Sequence, residues 1–189
     1  MSCGTVSSFS VVGDFEDLTH KCPKGWTCTG SAKVMRMGTG MGSPSKGHGN
    51  GYFSLGEDSQ QGKAVSNFFP LPKNVVQLVY LRAGGADAPS GLSVHSKTGE
   101  TLCQSSVGTN TDKFFEATCD LNGRGGQMVR IEVKDTQSSN WGKVYVDHIR
   151  LKLSDGSVLP LEFSGLFVHR KPACLIIYLY SIRHSNNIR

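Results

Sequence analysis

Asp147 is the residue whose chemistry its neighbours explain least. In the run Asn140-Trp141-Gly142-Lys143-Val144-Tyr145-Val146-Asp147-His148-Ile149-Arg150-Leu151, the odd positions Tyr145, Ile149 and Leu151, then Leu153, are apolar. The even positions His148, Arg150 and Lys152 are polar, which is the alternation of a half-buried strand. Asp147 falls in phase with the apolar set. A carboxylate on the buried side of a sheet needs hydrogen bonds, a basic side chain or a metal ion, because bare burial is costly. Two outcomes satisfy it: a β-bulge that turns Asp147 to solvent, or a cation that meets it, with Arg150 and Lys33 the basic candidates. Arg82 poses a second question. It closes the apolar strand Val75–Arg82 beside Gly84-Gly85, where a ligand can approach the backbone, or it pairs across a sheet.

The elements that must position these residues are short and extended. Ser8–Glu16 is an extended segment broken at Gly13, and Ala32–Met37 and Tyr52–Leu55 are short strands. Lys63–Leu71, Val75–Arg82, Leu92–Ser96, Thr101–Ser105 and Phe114–Leu121 follow, and Lys97-Thr98-Gly99-Glu100 is a hairpin signal. Val129, Ile131 and Val133 alternate with Arg130, Glu132 and Lys134, as in a strand with one buried face. Ser157–Phe163 completes the series. The Gly/Ser/Pro-rich stretch 38–51 is a long loop, and its Gly-Thr-Gly-Met-Gly lacks the βαβ surroundings of a dinucleotide site. No segment of the body sustains a helical period. Short strands at hairpin spacing predict an all-β jelly-roll sandwich.

That domain is expected over residues 1–164. Residues 165–189 contain four basic side chains, no acid, and the apolar run Leu175–Tyr180, and are expected to form a separate tail. That run is shorter than the roughly 20 apolar residues of a membrane span. The formal charge of +5 resides mostly in the tail, leaving the first 164 residues near neutral, with no footprint for nucleic acid.

Six cysteines are present without a Cys-x-x-Cys pair, which argues against zinc. Cys22 and Cys28 flank a short loop and Cys103 and Cys119 a hairpin-like segment, so each pair is a disulfide or two buried thiols. Disulfides would place the protein outside the cell or on its surface. Met1–Ser10 carries neither the basic flank nor the apolar core of a signal peptide, so cysteine usage and targeting disagree.

Taken in order, three blocks resemble the galactose-binding-like jelly-roll modules of carbohydrate-active proteins, above all those attached to levanase- and invertase-type glycoside hydrolases. They are Gly13-Asp14-Phe15-Glu16 with Gly25-Trp26-Thr27 and Gly30; Gly51-Tyr52-Phe53 with Gly62–Phe68; and Leu81–Gly85, Gly99, Asp120-Leu121, Val129–Asp135 and Trp141–Asp147. The likeness spans about residues 9–153. The sequence departs from the pattern in lacking an Asn before Gly13, and in placing His148 where an acid is common.

The resemblance implies a structural calcium ion held by Glu16 and Asp147 with Asp14 as a third ligand, oxygen donors of the kind a hard cation takes. It also implies a glycan or polysaccharide ligand and an attached or associated glycoside hydrolase. Sugar recognition needs an aromatic face and forked polar groups. Arg82, Asp87, Tyr52, His95 and Asn140 are the polar candidates and Trp26 and Trp141 the stacking candidates, although both tryptophans are of a type that commonly fills a core. No Gly-x-Ser-x-Gly, His-Glu-x-x-His or recognisable catalytic carboxylate pair is present, so catalysis is not expected. The alternatives are an adhesion or extracellular-matrix module that uses the same sandwich for protein contacts, which calls for a broad apolar patch, and an accessory domain of a glycoside hydrolase.

Overall fold

The computed structural model of the protein describes residues 6–39, 43–86, 90–105, 108–138 and 141–168. Fourteen strands and no helix occur among them. One sheet is built from β3 (Lys33–Arg36), β4 (Gly51–Ser54), β7 (Val75–Gly84), β10 (Thr111–Asp120) and β12 (Val144–Leu153), in the order β10-β7-β12-β4-β3, with β13 (Val158–Pro160) paired to β12. The other contains β2 (Trp26–Gly30), β5 (Gly62–Ser66), β8 (Gly91–Ser96), β9 (Thr101–Gln104) and β11 (Met128–Asp135), in the order β2-β5-β11-β8-β9, with β6 (Phe69–Pro70) on β11. A separate ribbon joins β1 (Val6–Val12) to β14 (Glu162–Val168). Every strand ladder is antiparallel. The molecule is an all-β, jelly-roll-like sandwich. Pairing along β14 continues to Val168, past the expected edge of the domain at residue 164. The tail beyond it, with Cys174, lies outside the described residues, as does Cys3.

Period-two alternation explains the core. Leu78 and Tyr80 of β7 face Val129, Ile131 and Val133 of β11 in one continuous buried cluster, and the in-between side chains face outward. At one end Trp26, Phe15 and Phe53 pack together, with ring centroids 5.3 to 6.0 Å apart, and Trp26 Nε1 donates to Val12 O at 2.7 Å. Trp26 is therefore a core residue with its one polar atom satisfied. The Lys97–Glu100 turn forms as expected, with Gly99 at φ 89°, which suits glycine.

Both expected disulfides are present, Cys22–Cys28 and Cys103–Cys119, each with Cα atoms 5.8 Å apart. The second joins β9 of one sheet to β10 of the other, so it staples the sandwich across its two layers.

The strand carrying Asp147 departs from the simple alternation. Its pairing with β7 shifts between Asp147 and Arg150, where three steps on β12 match two on β7, and His148 has φ 49°. This bulge reverses the phase. Val144 and Val146 point into the core before it, and Ile149, Leu151 and Leu153 after it. Tyr145 and Asp147 share the opposite, outer face. The odd-numbered phase assigned to Tyr145 was thus wrong, because one extra residue at His148 separates it from Ile149.

Candidate functional site

Asp147 lies on the outer face yet is 0% exposed. The loop Lys46–Gly51 folds over it, and the His48 amide donates to Asp147 Oδ2 at 2.7 Å. The loop fits because residue 47 is glycine: a Cβ there would lie 3.0 Å from Asp147 Oδ2 and 2.1 Å from the Met37 methyl. Asp147 Oδ1 is buried without a hydrogen bond of good geometry, although the His48 and His148 amides both favour its charged form. Burial outweighs those amides and, with the nearby charges of Glu16 and Asp14, pushes the Asp147 carboxyl up to about 7. Neither Arg150 nor Lys33 meets it; Arg150 instead pairs with Glu116 at 3.0 Å.

Glu16 grips the other end of the same loop. Its Oε2 accepts from Asn50 N at 2.9 Å and its Oε1 from Gly51 N at 3.3 Å. Phe15, at φ 55°, turns its ring into the core. Over this site His48 and His148 stack with centroids 3.7 Å apart, and burial, with the charges of His48 and Arg150, lowers His148 to about 4. The carboxylates of Asp14, Glu16 and Asp147 therefore interact electrostatically around one loop. Among the described residues, no group of three or more His, Cys, Asp and Glu side chains converges tightly enough to hold a metal ion in the arrangement seen.

The same outer face carries a second cluster. Tyr52, Ala83, Phe114 and Tyr145 are buried there, with Met35, Met37 and Leu81 packed against them. Tyr52 meets Tyr145 edge-on at 5.3 Å and Phe114 at 6.2 Å. Polar groups surround this aromatic floor. Tyr145 Oη donates to Glu57 Oε2 at 3.3 Å, and Lys143 Nζ lies 2.9 Å from Asp112 Oδ1. Burial and the Glu57 charge push the Tyr145 phenol up, so it remains a donor. Burial likewise raises Tyr52, against a hydrogen bond from Ser43.

Trp141 stands beside this cluster and is 37% exposed. The Lys143 ammonium lies 5.0 Å from its ring centroid, within cation–π range, and 5.9 Å from that of Tyr145. Trp141 has φ 62°, a backbone region costly for a bulky residue and often found at functional positions. Among the described residues only Trp141 and Val158 are large apolar side chains left exposed.

The remaining sequence candidates do not converge on this face. Arg82 is 0% exposed and points between the sheets, where its Nη2 donates to Gly85 O at 3.1 Å and Ser90 O at 3.3 Å. Its guanidinium is thus an interior tie between loops, and its place at the end of β7 gave no sign that its phase is inward. His95 lies on the outer face of the other sheet, bonded to Ser93 at 2.9 Å and Thr101 at 3.2 Å. Asp87 and Asn140 lie outside the described residues. Sequence reasoning overlooked Lys143, Asp112, Glu57 and Tyr145. One signal was available: Val144, Tyr145 and Val146 are consecutive apolar residues, as in a strand covered on both faces.

No protein-family model matches the chain, and no curated protein matches it significantly. Solved structures do. A cleaved adhesin domain of Lys-gingipain aligns over 77% of this chain and 98% of its own, at 16% identity and a TM-score of 0.50. A cyclase from Fischerella sp. TAU aligns over 78% and 96%, at 14% identity and a TM-score of 0.53. TmCBM61 in complex with β-1,4-galactotriose aligns over 75% and 92%, at 14% identity and a TM-score of 0.46. The first two establish a shared β-sandwich fold. Since one sandwich serves many ends, function has to be argued from the site.

Proposed function

We propose that the chain is a non-catalytic carbohydrate-binding module that takes a neutral sugar on the face of Trp141. The exposed Trp141 ring, held at a left-handed φ beside the Lys143–Asp112 ion pair, carries this reading. An aromatic face stacks on the apolar face of a pyranose, and flanking charged and amphoteric groups accept and donate to its hydroxyls. Glu57 is exposed and Asp112 half-buried, so in this reading their carboxylates are the acceptors for such hydroxyls. An adhesion module would call for a broad apolar surface, and the exposed large apolar side chains among the described residues, Trp141 and Val158, do not form one.

A structural calcium ion belongs to the same proposal, with Asp147, Glu16 and Asp14 as its carboxylate ligands. The buried, incompletely bonded Asp147 Oδ1 and the mutual repulsion with Glu16 and Asp14 favour a cation there. The ion would neutralise the cluster and fix the loop that covers the outer face. Two disulfides accord with an extracellular or cell-surface setting. No helix among the described residues is long and apolar enough to cross a membrane.

Affinity electrophoresis against a panel of neutral polysaccharides tests the reading. Retardation by at least one of them, lost in Trp141→Ala, is expected; migration unaffected by every polysaccharide overturns it.

A further inference from the structure

The outer face of the second sheet carries a charge pattern that is invisible in the near-neutral composition. Lys63 of β5 and Lys134 of β11 are directly opposed across the ladder. Like charges in that position destabilise a sheet. Both reach one carboxylate: Lys63 Nζ lies 2.9 Å from Glu132 Oε2, and Lys134 Nζ 3.9 Å from Glu132 Oε1. Burial works to raise Glu132, but the hydrogen bond and charge of Lys63 hold it below the ordinary range. Arg130 projects from the same face over the Phe68 ring at 5.4 Å, and none of the ion pairs among the described residues involves it. Two lysines thus share one carboxylate, with the Arg130 guanidinium on the same face. Burial lowers the His95 imidazole, against the pull of Glu132. Asp135 turns inward, its Oδ1 accepting from Ser90 Oγ at 3.3 Å and Gln137 N at 3.0 Å.

Beside this pair runs an open groove of about 470 Å³, lined by Thr29, Gln61, Lys63, Glu132, Lys134 and Thr136 among others. Gln61 Nε2 donates to Thr136 O at 2.6 Å. The lining offers hydroxyls, an amide and two ammonium groups, against the Glu132 carboxylate that the lysines share and the inward-turned Asp135. That set matches a ligand rich in hydroxyls that also bears a negative charge, and the like-charged lysines are relieved by a second anion.

We propose that this groove is a second glycan subsite, specific for a uronate sugar whose carboxylate sits between Lys63 and Lys134. The proposal rests on the carbohydrate-binding reading but uses the sheet opposite Trp141, so the two can fail separately. It is tested with the full chain against polygalacturonate, a sulfated polysaccharide and a neutral galactan. Polygalacturonate is expected to bind, and to bind more weakly as salt is added. In Lys63→Gln/Lys134→Gln its affinity falls roughly tenfold or more, as loss of charge-assisted hydrogen bonds implies. Glu132→Gln tightens it, and Trp141→Ala leaves it unchanged. Absence of polygalacturonate binding overturns the proposal, and so does equal affinity in the double lysine variant. Binding of the sulfated polymer alone overturns the uronate assignment. Loss of polygalacturonate binding in Trp141→Ala with none in the lysine variant overturns the second subsite and leaves the Trp141 site standing.

Discussion

Asp147 and Glu16 grip the same loop, one at the His48 amide and the other at the Asn50 and Gly51 amides. Glu16 follows the first strand and Asp147 lies on β12, so this loop ties an early segment of the chain to a late one. Its position over the outer face depends on two carboxyl groups that repel each other when both are charged.

Stability without calcium is governed first by the burial of Asp147 and second by that repulsion. Asp147 sits at about 7 when folded, against 3.8 for an ordinary aspartate carboxyl. A raised carboxyl keeps its proton in the folded state while the unfolded chain releases it. Stability therefore falls as pH rises from about 4 to about 7, and the full loss is present above 7. Thermal melts in chelator should show Tm dropping by several degrees across that window, and Asp147→Asn, which keeps an acceptor for His48, should flatten the profile.

Calcium should reverse the effect. At pH 8 the ion should raise the Tm of the native protein by preferential binding to the folded state, and leave Asp147→Asn unmoved. An unchanged native Tm across millimolar calcium removes the ion from the account.

The strands were legible because their alternation is local. Val129–Val133 and the Lys97–Glu100 turn could be read from neighbouring residues alone, whereas the cysteine spacings left each pair open between a disulfide and two buried thiols. The bulge at His148 could not, because nothing in that side chain announces a left-handed φ, and one inserted residue inverts every position before it. Arg82 failed for a related reason: at a strand end, polarity suggests solvent, whereas β7 keeps its inward phase through that residue. The opposed lysines on β5 and β11 are far apart in sequence, so their clustering appears only on pairing.

Arg82→Ala distinguishes an interior tie from a ligand contact. It strips donors from Gly85 O and Ser90 O and leaves a cavity, so a loss on the order of 3 kcal/mol is expected in denaturant melts. Glycan affinity measured well below the melting point should be unaffected.

Cys103→Ser/Cys119→Ser should cost about 3 kcal/mol, the scale for a loop of this length. The pair joins the two sheets 16 residues apart in sequence, so its loss loosens the sandwich without touching the Trp141 face. Chemical denaturation of the oxidised protein and the double serine variant checks this.

The central claim rests on the exposed ring of Trp141. The most direct measurement is calorimetric titration of a bound neutral oligosaccharide into the native protein, Trp141→Phe and Trp141→Ala. Removing a stacked aromatic is expected to weaken binding roughly tenfold or more in Trp141→Ala, with Trp141→Phe between it and the native chain and all three melting alike. Equal affinity in the three proteins would contradict the assignment of this face as the sugar-binding site.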